Sequence, residues 1–205
     1  SGGGLAAPSA NRFGRISPTA AAHVASELGD TVSLIVDGGD CLVGIESTIV
    51  DLSRGAPIIL RPGAVTAEQI ALVLGQPVAA QQNTFKNAAD TVPRVSGSLA
   101  SHYAPVTPLT VLSLDVIVQK LSLDQVAAIV RDDAGLPDAL RQHAALRILA
   151  NEPTRYAHDF YRALRELDAK GYSHIYVQSL PETPAWLAVR DRLGRAAHRD
   201  SSVAP

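Results

Sequence analysis

The sequence predicts an α/β protein in which two folded parts flank a long polar stretch. Three observations predict it. Apolar residues make up 46% of the 205-residue chain, enough for a core and far from a disordered composition. From residue 106 onward, short apolar runs alternate with amphipathic segments, the rhythm of a mainly parallel sheet with helices on its faces. Between the parts, residues 76–105 hold Gln, Asn, Ser, Gly and three prolines with little periodicity. A structureless run of about 30 residues is too long for an ordinary loop, so it is a linker or a functional loop lying over a site.

The elements follow in order. Ser17-Pro18 reads as N-cap and first helical position, and the Ala-rich run 19–28 as a helix that Gly29 stops. "VSLIVDGG" (32–39) is an apolar run ended by a turn, a strand. "STIVDLS" (47–53) and "PIILRPG" (57–63) are two more, and the Ser53–Ala56 break between them suggests a hairpin. "TAEQIALVLG" (66–75) is a short helix capped by Thr66. Beyond the polar stretch, 107–113, 125–132, 146–151 and 173–179 read as strands, and 115–121, 136–143, 153–170 and 184–197 as helices. In the helix over 153–170, Tyr156, Phe160, Leu164 and Leu167 share one face. No GxGxxG is present, so this Rossmann-like alternation carries no dinucleotide reading by itself.

Bulk properties narrow the function. Net charge is −2 and the isoelectric point about 6.3, against a chain held to nucleic acid or membrane by bulk charge. The single cysteine, Cys41, excludes an internal disulfide framework and a Cys-rich zinc site, and a cytoplasmic protein is expected. No apolar run approaches the roughly 20 residues of a membrane span. Asp132-Asp133 is the kind of pair that binds Mg²⁺ or simply a solvated turn. His143, His158 and His174 are too far apart in pattern for a metal site. No metal-ligand set is assigned.

Four short stretches share a chemistry: "PSANRFGR" (8–15), "GIESTIVD" (44–51), "LRPG" (60–63) and "SHYAP" (101–105). Each sets hydroxyls, an amide or a guanidinium beside Gly or Pro, where backbone N–H groups stay free. These are the parts of an anion or phosphate site. Each also has a plainer reading. Ser9 and Asn11 could make turn hydrogen bonds, Ser47 and Thr48 could be strand residues, Arg61 a solvated charge, and His102 and Tyr103 surface packing.

Taken in order, "APSANRFGRISPT", "GIESTIVD", "ILRPG" and "HYAP" resemble the two-domain threonylcarbamoyl-AMP synthase family, a YrdC-like catalytic domain joined to a Rossmann-like domain. The resemblance implies that residues 1–75 are the C-terminal portion of the YrdC-like α/β domain. It makes 76–105 a linker or lid over the active site and 106–205 the Rossmann-like parallel-sheet domain. It implies a nucleotidyltransferase that makes threonylcarbamoyl-adenylate from L-threonine, bicarbonate or CO₂, and ATP, with Mg²⁺, for tRNA modification. Ser9, Asn11, Arg61 and Tyr103 are then expected at ATP. Ser47 is expected at the threonine or carbamate end, with Ser47 and Arg61 catalytic. The family's upstream threonine-recognition segment is missing, and methionine is absent. An incomplete chain with uncovered apolar surface, open to self-association, is expected. Two other readings stay open. One is an RNA-binding module using Arg12, Arg15, Arg54 and Arg61. The other is a regulatory pair with a ligand pocket at the C-terminal ends of the parallel strands.

Overall fold

The computed structural model describes residues 2–4, 6–53, 55–80, 95–97, 99–121, 125–132 and 135–198. Arg54, Asp133 and the middle of the polar stretch, 81–94, lie outside the described residues.

The second part contains a four-stranded, wholly parallel sheet. Its strands are β4 (Leu109–Leu112), β5 (Val126–Arg131), β6 (Leu146–Leu149) and β7 (His174–Gln178), in the order β4-β7-β5-β6. In β5 the first five residues are all buried, the mark of a strand covered on both faces. Alternation assigns them to opposite sides. Ala128 and Val130 meet Ile117 and Leu121, of which Ile117 lies in helix α3 (Leu114–Lys120), while Ala127 and Ile129 belong to the core formed with helices α4 (Pro153–Asp168) and α5 (Leu187–Ala197). The face of α4 read from the sequence is the face it buries: Tyr156, Phe160, Leu164 and Leu167 are fully enclosed. Glu152 caps this helix by accepting from the Thr154 and Arg155 N–H groups, and Pro153 fills its first turn.

The first part is looser. Strands β1 (Ile49–Asp51) and β2 (Ile58–Arg61) form the expected antiparallel hairpin. The Asp51 carboxylate accepts from both the N–H and the hydroxyl of Ser53 and starts the turn. Helix α2 (Ala67–Leu74) has a full capping box between Thr66 and Gln69, and Gly75 ends it in the left-handed conformation. A two-residue strand, β3 (Ala79–Ala80), pairs in parallel with β2 inside the stretch expected to be irregular. Among the described residues, no helix is long and apolar enough to cross a membrane.

Three expectations are corrected. Residues 32–39 form no strand, and Leu34 and Val36 are 77% and 81% exposed. A strand needs a neighbour for its N–H and C=O groups, and no described strand pairs with this run. Residues 136–143 give only a single 3₁₀ turn at Asp138–Leu140, because Pro137 interrupts a segment too short to sustain a helix. The first helix, α1, is Ala21–Leu28, and Ser17 is not its cap. The Ser17 hydroxyl is used elsewhere, at Glu46.

Candidate functional site

The four polar stretches meet in two pairs. The "GIEST" loop runs against the end of β2, and Gly63 makes this possible: a Cβ there would lie 2.6 Å from the Ser47 carbonyl carbon. The Arg61 guanidinium then reaches across the loop. Its Nε donates to the Ser47 carbonyl at 3.0 Å, Nη2 to the Ser47 hydroxyl at 3.2 Å, and Nη1 to the Ser96 carbonyl at 3.0 Å. These three acceptors are neutral. Of the five guanidinium N–H donors, two are left over. Arg61 is only 8% exposed, whereas Ser47 is exposed beside it. An arginine held in place by neutral groups, with donors to spare, has the chemistry to accept an anion.

The other two stretches pair with each other. Arg15 and Ala104 form a parallel bridge, Ala104 N–H donates to the Gly14 carbonyl at 2.9 Å, and the Phe13 and His102 rings meet edge-on at 5.7 Å. Ser9 is exposed. The Asn11 amide donates to the Arg12 and Arg15 carbonyls, holding its own turn, and its buried carbonyl oxygen has no partner. No hydrogen bond joins Ser9 or Asn11 to Ser47 or Arg61. Tyr103 is buried, at φ 60°, with its ring 5.3 Å from the Arg192 guanidinium carbon. Burial lowers the affinity of His102 for a proton, and the cations Arg195, Arg192 and Arg61 add to this.

Sequence reading missed the residue beneath the site. Glu46, beside Ser47, accepts from the Ser17 hydroxyl at 2.5 Å, from the buried Arg192 Nε at 2.7 Å and from the Tyr161 hydroxyl at 3.2 Å. Arg192 also donates to Asp191 at 2.6 Å, and Asp191 pairs with Arg195 at 3.0 Å. Arg195 returns to the polar stretch, donating to the Leu99 carbonyl and accepting from the His102 N–H. Burial opposes the charge on Arg192, but the anions around it outweigh burial and hold the guanidinium more strongly protonated than usual. Burial, then Glu46, pushes the Tyr161 phenol well up, so it stays a donor. In the sequence, Arg192 and Arg195 look like ordinary charges on an amphipathic helix. Only the fold shows that this face is inside.

A separate cavity of about 690 Å³ opens between the hairpin with α2 and the starts of α4 and α5. It follows the ends of β6 and β7, where a pocket was expected from strand order. Its walls are mostly apolar, and their charged residues are Glu68, Glu152, Glu182 and Arg190. Three carboxylates to one guanidinium is the wrong sign for a phosphate. Ser9, Asn11, Ser47, Arg61 and Tyr103 are absent from its lining, so this cavity is not the candidate anion site. Nor do the arginines form one basic face: Arg61 is buried, Arg15 pairs with Asp168 at 3.8 Å, and Arg54 lies outside the described residues.

Comparison with known proteins decides the family. Residues 65–198, more than half of the chain, match the model of the threonylcarbamoyl-AMP synthase C-terminal domain. The chain belongs to the threonylcarbamoyl-AMP synthase family. Residues 1–63 match a second model, described as telomere recombination, that groups Sua5, YciO and YrdC proteins. Curated synthases from Bacillus subtilis and Pyrococcus abyssi are 34% and 29% identical, and each alignment covers 94% of this chain and 57% of the relative. The chain therefore spans little more than half the length of these synthases. The crystal structure of P. abyssi Sua5 complexed with L-threonine superposes with a TM-score of 0.74 at 28% identity, over 93% of this chain and 56% of that one. A P. abyssi Sua5 variant with an adjacent His and Tyr both changed to Ala gives a TM-score of 0.72.

Proposed function

We propose that this chain carries part of a threonylcarbamoyl-AMP synthase site and that the Ser47–Arg61 crossing is its phosphate-binding element. The observation that carries this reading is Arg61 itself, buried, pinned by three neutral acceptors and left with two free donors beside an exposed Ser47 hydroxyl. The reaction needs such groups. Threonine nitrogen and bicarbonate give a carbamate and water, a carbamate oxygen attacks the ATP α-phosphorus, and pyrophosphate leaves. Positioning and neutralisation of phosphate charge suffice, without a covalent enzyme intermediate.

In this reading Arg61 holds phosphate, Ser47 faces the carbamate end, and Ser9 and Asn11 contact the ATP phosphates from the neighbouring turn. Tyr103 anchors the linker where it folds back over the pocket. The P. abyssi variant supports attention to that segment, because His102-Tyr103 is the sole His-Tyr pair in this sequence. Residues 1–75, 76–105 and 106–205 serve as catalytic portion, linker and Rossmann-like domain. Magnesium belongs to the substrate as the ATP counter-ion. The described residues contain no group of three or more His, Cys, Asp and Glu placed to hold a metal. The exposed apolar residues of the first part favour self-association, and the single exposed cysteine fits a cytoplasmic setting.

The test is pyrophosphate release from ATP by this chain, alone and joined to the segment that completes the length of its relatives, with threonine and bicarbonate omitted in turn. Release that requires both is expected in the completed form, and Arg61→Ala should lower its rate by about 3 kcal/mol of barrier. Full activity in that variant would contradict the assignment.

A further inference from the structure

We propose that Glu46 and Arg192 are positioning residues, a buried ion pair through which α5 sets the geometry of the Ser47–Arg61 crossing. The proposal rests on the phosphate-site reading above and extends it to a residue of the Rossmann-like part.

The covalent and non-covalent path is short. Glu46 precedes Ser47 in the chain, so a held Glu46 fixes where the backbone enters Ser47, whose carbonyl and hydroxyl meet Arg61. That carboxylate has no freedom. One oxygen accepts from Ser17, and the other from Arg192 Nε and the Tyr161 hydroxyl. Arg192 is fully buried and is held in turn by Asp191. The start of the loop is fixed from the same side. Gly44 has φ 81°, and a Cβ there would lie 2.5 Å from the His158 Cα on α4, so the loop backbone rests directly on that helix. The Arg192 Nη2 has no hydrogen-bond partner, and the Tyr103 ring covers the guanidinium instead. One arginine thus touches the residue next to Ser47 and the residue that anchors the linker.

A surface ion pair placed for solubility would be exposed and would carry no second partner. This one is buried, branches to four groups and joins chain segments nearly 150 residues apart (146 from Glu46 to Arg192). Its burial is costly unless fully paired. The pair therefore reads as a device for alignment more than for net stability.

The experiment uses the chain with Arg192→Met, Arg192→Lys and Glu46→Gln, and Arg61→Ala in parallel. Two quantities are read below the melting temperature of each variant: exchange of the Arg61 Nε–H, which is buried and bonded to the Ser47 carbonyl, and ATP affinity by titration. Arg192→Met and Glu46→Gln are expected to speed Arg61 Nε–H exchange and weaken ATP by about tenfold. Arg192→Lys keeps the charge and is expected to restore part of both. A folded Glu46→Gln protein with unchanged Arg61 Nε–H exchange would overturn the proposal, whatever happens to Arg192→Met. Failure of the phosphate reading shows differently: Arg61→Ala would leave ATP affinity unchanged while the Glu46 and Arg192 variants still speed Arg61 Nε–H exchange.

Discussion

Residues 106–198 and residues 2–80 handle their apolar side chains in opposite ways. In the later region, the sheet and its helices enclose Ile129, Phe160, Leu164 and Ile175 completely. In the earlier one, Leu34, Leu42, Leu72 and Val73 face outward, and few side chains are buried. The difference shows where order comes from. The parallel-sheet part is held by its own core. The earlier part is held by its contacts with that core. Ile16 joins it, Arg165 on α4 pairs with Glu27 at 2.8 Å, and Asp168 accepts from the Val106 and Thr107 N–H groups just after "HYAP". The polar motifs thus lie on a framework supplied largely by α4 and α5.

The sharpest contrast is between two leucine truncations. Leu164→Ala should destabilise the protein by about 2–5 kcal/mol in denaturant unfolding, because the cavity it leaves is sealed. Leu72→Ala, at a residue 86% exposed, should change stability by about 0.5 kcal/mol or less. Comparable losses at the two leucines would break the distinction between the regions.

Gly63→Ala comes next. Its new Cβ meets backbone rather than a movable side chain, so the "LRPG" and "GIEST" segments must separate. A loss of about 1–3 kcal/mol is expected, with weaker ATP binding measured on the same samples.

Secondary structure was most legible where local rules and burial agree. The α4 face, the Thr66 capping box and the parallel alternation follow from period, cap and turn chemistry alone. The strand read at 32–39 failed because pairing is not a local property. The apolar run is real, but no described strand runs beside it. Within the candidate site, Ser47 and Arg61 were singled out as hydroxyl and guanidinium beside Gly or Pro, and the fold joins them. Glu46 and Arg192 were not. Nothing in "GIEST" or "AVRDRLGRAA" says that these charges face each other in the interior. Period alone gives a helix over 184–197 but not the burial of its charged side.

The smallest expected effect is a pH dependence. Burial and nearby cations lower the proton affinity of His102, so below its ordinary value of 6.5 the unfolded chain binds more protons at this residue than the folded one. His102 therefore contributes a term that lets stability rise with pH up to about that value and fall as pH drops below it. Urea midpoints between pH 7 and pH 5 should show this decline, and His102→Gln should flatten it. An unchanged slope in the variant would remove the assigned cause.

The measurement that bears most directly on the account is a titration of the chain with inorganic tripolyphosphate, followed by NMR at the Arg61 Nε–H and the Ser47 amide. The account predicts saturable shifts at both, abolished by Arg61→Ala and reduced by Glu46→Gln. Shifts confined to the apolar cavity, at Thr66 and Thr183, with Arg61 and Ser47 unmoved, would contradict it.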